Sequence, residues 1–205
     1  MFEEIIYDLE TQKLFEDISS GNPADLVLSV VSLYKRILDK NYQEIEGKMY
    51  SFWVDDLDQI WPLFTNVDRI IGFNSLSFDN QVLSPLCHQY DFTKLNHFDI
   101  LDHIKQVLGH RLSLNSIAGQ TIGVTKTDVG TNAVLYWQKG DADSLAKLQN
   151  YCQADVDVTK KVYDFGLQNG FLRYKDKWNT LRQVEVDFSY PADNNDTNQN
   201  QISLF

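Results

Sequence analysis

Three short stretches of this 205-residue sequence carry acids at spacings that could do chemistry. In IIYDLE, Asp8 and Glu10 stand two apart in an extended, β-branched segment. Residues two apart on a strand point to the same face, so both carboxylates would aim at one place. In IIGFNSLSFDNQVL, Asp79 follows a polar loop and falls in the first turn of an expected helix. In YCQADVDVTKKVY, Tyr151 and Asp155 are four apart, which stacks them on one helical face. Asp157 lies on a different face and is the weaker candidate. Carboxylates packed together repel, and their ionised forms are tolerable only when cations share them. Oxygen donors of this kind suit Mg²⁺ or Mn²⁺. Each stretch also has a plainer reading. Strand-end acids can simply face water, an acid is favoured near any helix N-terminus, and a tyrosine can pack on the core beside a solvated aspartate.

These side chains can meet only if the elements bearing them do. EEIIYDLE reads as a strand ending with its acids at the tip. DLVLSVVSLYKRIL is ambiguous by periodicity, and its β-branched residues favour a strand. EGKMYSFWV reads as the next strand, with NYQEIEG as the turn before it. DDLDQIWPLF predicts a short helix, RIIGFN a buried strand, and SFDNQVLSPLCHQY a helix interrupted near Pro85. KLNHFDIL predicts a strand leading into DHIKQVLG, and LSLNSIAGQTIG a helix broken by glycines. From Asp141 a long helix runs to Gly166 and Gly170, with Leu145, Leu148, Cys152, Val158, Val162 and Phe165 as its apolar stripe. FLRYKDKWNTLRQVEVDF reads as an edge hairpin or a packing arm. This order predicts an α/β domain with a mixed sheet, its first three strands antiparallel.

Composition narrows the classes. The formal net charge of -11 argues against passive nucleic-acid binding through basic patches, but not against an enzyme that meets phosphates through metal ions. Cys87 and Cys152 stand far apart with no CxxC, which fits a reducing cytoplasm rather than a disulfide scaffold or a zinc site. The acidic MFEEIIYDLE has no basic-then-apolar pattern of a signal peptide. No apolar run approaches the roughly 20 residues that span a bilayer, so no membrane partner is expected. The expected location is the cytoplasm. No phosphate-loop or dinucleotide glycine motif is present. Composition shifts after Phe188, and the Asn/Asp/Gln-rich stretch that follows lacks the apolar residues to order itself. Residues 1–188 are therefore read as one domain and 189–205 as a disordered tail.

The three acidic blocks, taken in order, resemble the DEDD superfamily of 3′–5′ exonucleases. D-x-E, then N-x-x-x-F-D, then Y-x-x-x-D is the pattern, and the tyrosine points to the branch written DEDDy. The matched blocks span Asp8 to about Gly166. HFDIL and LSLNSIAGQTIGVTKTDVGTNAVLYWQKGD are also similar to stand-alone relatives of the proofreading domain of family-B DNA polymerases. The resemblance implies a ribonuclease-H-like fold, with a five-stranded mixed sheet flanked by helices. It implies that Asp8, Glu10, Asp79 and Asp155 hold two divalent cations, Mg²⁺ or Mn²⁺. Two such ions about 4 Å apart activate water on one side of a phosphodiester and stabilise the leaving oxygen on the other. A tyrosine hydroxyl, with its usual pKa of about 10, is a poor base, so Tyr151 would orient the attacking water. Asn74 and Phe78 would shape the site near the terminal nucleotide. The implied activity is release of nucleoside 5′-monophosphates from single-stranded DNA or frayed 3′ ends, for proofreading or repair. An exoribonuclease and a non-catalytic adaptor are the alternatives.

Two further groups of residues gain meaning from that resemblance. Lys126, Lys139 and Trp137 could contact phosphates and a stacked base, or be solvated lysines and a packed tryptophan. Asp99 could support the metal ligands from behind, or serve the structure alone. QISLF resembles the Q-x-x-L-F pentapeptide by which bacterial proteins bind the sliding clamp. Gln201 would be its glutamine, and Leu204 with Phe205 its pocket-filling anchors behind a polar linker. The alternative is a tail that docks back on its own core.

Overall fold

The computed structural model of the chain describes residues 1–124 and 130–191. Five strands form one sheet in the order β3-β2-β1-β4-β5. They are β1 (Phe2–Thr11), β2 (Leu28–Leu38), β3 (Glu44–Trp53), β4 (Arg69–Gly72) and β5 (His97–Asp99). β1 pairs antiparallel with β2, and β2 with β3. β4 runs parallel to β1 and β5 parallel to β4. The expected α/β fold with a mixed five-stranded sheet is the observed one.

β1 is central and covered on both sides, so its sequence shows an apolar run at Ile5-Ile6-Tyr7 instead of strict alternation. Ile5, Tyr7 and Leu9 face one layer, with α1 (Trp61–Phe64), α2 (Asp79–Leu83) and Phe92. Ile6 faces the other layer, built from α3 (Ile100–Leu108), α4 (Leu114–Thr121) and α6 (Ala142–Asn169). By the two-residue strand period, Asp8 and Glu10 continue the Ile6 side. α5 (Gly130–Lys139) packs on α6 near Val30. Among the described residues, no helix is long and apolar enough to cross a membrane.

Several elements differ from the sequence reading for local reasons. DDLDQIWPLF is a 3₁₀ turn over Val54–Gln59 followed by α1. Pro62 has no N–H to donate and so sits in the first turn of a helix, not in its middle. β3 starts at Glu44, within the stretch expected to be a turn. Gly47 lies inside this strand because a Cβ there would stand 2.3 Å from the Tyr34 hydroxyl oxygen. α2 stops at Leu83 and tightens into a 3₁₀ turn at Ser84–Leu86, around Pro85. α6 begins at the Asp141 cap, which accepts from the Ser144 amide, and ends at Gly170 in the left-handed region. Gly166 is not a terminator. It clears space for the ring of Phe188, which lies 2.4 Å from where a Cβ would be.

The expected hairpin exists as β6 (Phe171–Lys175) and β7 (Leu181–Glu185), in a sheet of its own. It docks on α4 through Thr121, whose hydroxyl donates to the Arg173 carbonyl and accepts from its amide. Packing continues past Phe188. Tyr190 stacks on Phe2 with ring centroids 4.1 Å apart and donates to Glu4 at 2.7 Å.

Candidate active site

β1 and β4 are parallel neighbours, so both chains leave the sheet at the same end. Asp8 and Glu10 stand at that end of β1, half-buried. α6 crosses beneath and presents Asp155, which is buried. Oxygens of Asp8, Glu10 and Asp155 all lie within 4.8 Å of one another. The same helix locks to the strand one turn away. The Cys152 thiol donates to the backbone carbonyl of Asp8 at 3.4 Å. Burial pushes that thiol well up, and the charges of Asp8 and Glu10 push it further, so it stays protonated and takes no nucleophilic role. Across the sheet, Asp8 pairs with Ser32 and Ser32 with Ser51. The two hydroxyls are 2.8 Å apart, and Gln153 of α6 donates to Ser51 at 2.9 Å. This polar row fixes the rotation of α6 over the acids.

Asp79 opens α2 and is only 4% exposed. Its carboxylate is not among the three that converge. Burial pushes its carboxyl up to about 7. Hydrogen bonds from its own backbone and from Leu9 pull the other way, while the charges of Asp99 and Asp155 add to the rise. Asp79 thus belongs to the same electrostatic cluster. Next to it, Tyr7 of β1 donates to the side chain of Asn80, tying α2 to the central strand.

The loop between β4 and α2 is held by Asp99. Its carboxylate accepts from the amides of Asn74 (2.8 Å) and Leu76 (3.1 Å). It also caps α3 through Leu101 (2.9 Å) and Asp102 (3.2 Å). Asp99 therefore positions the loop and is not one of the three converging acids. Asn74 adopts a left-handed φ of 66°, which asparagine tolerates better than most residues. Its side-chain oxygen accepts from Arg111 at 2.6 Å. Phe78 is half-buried, its ring 6.1 Å from the exposed ring of Phe15. A groove of about 450 Å³ runs from the acids past this loop, lined by Asp8, Asp155, Phe73, Asn74, Arg111 and Leu112.

Tyr151 is half-buried one turn before Asp155 and packs with the Val30, Leu148 and Cys152 cluster. Asp157 turns away and pairs with Lys161 at 2.6 Å. Trp137 is half-buried and stacks on Trp53, with centroids 6.1 Å apart. Lys139 is exposed at the end of α5. Lys126, Gln201, Leu204 and Phe205 lie outside the described residues. Arg111 and Phe15 also stand beside this site. Arg111 is marked by nothing local, because its partner Asn74 is 37 residues away. Phe15 stands out only through its exposure.

The donors that converge are all carboxylate oxygens, which suits a hard divalent cation. Asp79 stands near them, its carboxyl raised mainly by burial and further by the charges of Asp99 and Asp155. Asp8, Glu10 and Asp155 could together hold such a cation.

The profile of the RNase_H superfamily matches residues 5–165, from β1 into α6. A comparison with curated proteins gives no match. Among solved structures, the family B DNA polymerase from the hyperthermophilic archaeon Pyrobaculum calidifontis superposes with a TM-score of 0.58 at 16% sequence identity. The superposition covers 82% of this chain and 25% of that polymerase, so the likeness is one of fold over a fraction of the larger protein. With the matched segment carrying the central sheet and all three converging acids, the chain belongs to the RNase_H superfamily.

Proposed function

We propose that the protein is a metal-dependent 3′–5′ exonuclease of the DEDDy type. It would act on single-stranded DNA or frayed 3′ ends and release nucleoside 5′-monophosphates. The observation that carries this reading is the meeting of Asp8, Glu10 and Asp155 within 4.8 Å at the head of a groove. Those three acids would hold divalent cations, with Asp79 as the fourth ligand. When bound, a pair of such ions supplies an activated water and charge stabilisation for the leaving oxygen. Tyr151, on the helix that brings Asp155, orients the attacking water. Asn74, steadied by Asp99 and Arg111, and Phe78, beside Phe15, flank the terminal nucleotide. Lys126 and Trp137 remain further strand contacts in this proposal. All four acids and the tyrosine are in place in the sequence, which favours an enzyme over a non-catalytic adaptor.

Recruitment to a bacterial sliding clamp through Gln201, Leu204 and Phe205 belongs to the same proposal. It is supported by the Q-x-x-L-F spacing and by the polar stretch before it. A clamp tether favours DNA over RNA, and matched DNA and RNA oligonucleotides decide between them.

The test uses single strands labelled at either end, with Mg²⁺ and with Mn²⁺. Wild type should release mononucleotides from the 3′ end, and Asp8→Ala and Asp155→Ala should fall to background. Absence of 3′ products in both metals, or cleavage by the two variants at wild-type rate, defeats the reading.

A further inference from the structure

Arg111 borders the groove that holds the acids. Arg111 and Leu112 also line a second groove of about 520 Å³, between the loop after α3 and the β6–β7 hairpin. The two hollows therefore lie side by side, with Arg111 and Leu112 as their common wall. Their chemistry changes from one to the other. The acids give way to His110, Arg111, Lys175 and Lys177, and then to Trp178 at the hairpin tip. In a chain of net charge -11 this local run of cations is a strong departure.

The only carboxylate lining the second groove, among the described residues, is Asp176. It is occupied. It accepts from the amides of Trp178 (2.9 Å) and Thr180 (3.0 Å) and pairs with Arg182 at 2.8 Å. Arg111, Lys175 and Lys177 pair with no described carboxylate, and all three are exposed. Trp178 is 72% exposed, and the Lys177 ammonium sits 4.4 Å from its ring centre. Leaving an indole in water gains the fold nothing. A flat aromatic ring beside lysines that have no carboxylate partner among the described residues is the composition of a single-strand platform, where phosphates meet ammonium groups and bases stack. The platform is anchored to the domain. Five cross-strand pairs hold the hairpin, Thr121 docks its first strand on α4, and Tyr174 and Val184 anchor it in the core.

We propose that this groove carries the unpaired strand leading to the 3′ end held at the acids. Its phosphates lie along Arg111, Lys175 and Lys177, and one base stacks on Trp178. This assignment rests on the nuclease reading, and the following experiment separates the two.

Cleavage is measured with 5′-labelled oligothymidylates from two to twelve nucleotides, in Mn²⁺, as kcat/KM. Wild type should improve with length until the second groove is filled, then level off. Lys175→Gln/Lys177→Gln and Trp178→Ala, all at exposed positions, should each lose about tenfold on the twelve-mer and nothing on the dinucleotide. In EDTA, where the strand binds uncut, the double lysine variant should show a log-affinity against log-salt slope shallower by about 1.4. If wild type cleaves but both variants follow its length profile, the groove assignment falls and the nuclease reading stands. If wild type cleaves no oligonucleotide of any length, both fall together.

Discussion

Asp79 lacks the room of its neighbours. Its carboxyl is buried and raised to about 7, against an unfolded value near 3.9, so the folded state holds the proton more tightly. The resulting stabilisation is full below about pH 4 and is lost as pH rises toward 7. Metal-free Asp79→Asn should therefore be more stable than wild type at pH 8, by about 2 to 4 kcal/mol, and equal to it near pH 4. Denaturant titrations in EDTA at several pH values check this, and parallel pH profiles for the two proteins would refute it. On the proposed role of Asp79 as a metal ligand, activity should be lost in the same variant. Of the site's side chains, Asp8 and Glu10 were the most legible, because the strand period alone aims them together. Asp155 followed from its helix. The separation of Asp79 from the converging three was not legible, because a loop tied to Asp99 sets where α2 begins.

Asp99 acts between elements. One carboxylate serves both the cap of α3 and the turn that follows β4, through four backbone amides. Removing it leaves buried or half-buried donors without partners and frees the turn bearing Asn74. Asp99→Ala should cost about 2 to 3 kcal/mol in urea unfolding, and Asp99→Asn, which keeps one acceptor, about 1 kcal/mol. A wild-type midpoint for the alanine variant would show that the bridge carries no weight. The strands were readable from β-branched runs, and α6 from its stripe and caps. The early start of β3 was hidden because Gly47 reads locally as a turn residue, while the ring of Tyr34 across the sheet is what demands it. The hairpin's place on α4 was hidden for the same reason. Its docking bonds join residues 52 apart, and a local pattern holds no record of them.

At the scale of the molecule, several acids and cations pair with each other, as Arg36 does with Glu4 and Asp164, but two regions depart from this. Three carboxylates converge where β1 ends, and Lys175 and Lys177, without carboxylate partners among the described residues, stand at the hairpin. The tail is a separate module in the proposal, so its loss should spare the chemistry. We expect the full chain to bind a bacterial clamp with Kd on the order of 1 μM. Leu204→Ala/Phe205→Ala should abolish that binding while cleavage of free single strands stays at wild-type rate. Surface plasmon resonance on immobilised clamp reads the first and the labelled-strand assay the second. Equal binding by a chain ending at Pro191 would rule the motif out. The stack of Tyr190 on Phe2 adds a mechanical consequence. It fastens the outgoing chain beside the first residues of β1, whereas Asp8 and Glu10 stand toward the opposite end of that strand. A partner pulling on anything beyond Pro191 would grip the domain by its heel, and the mouth would stay turned outward.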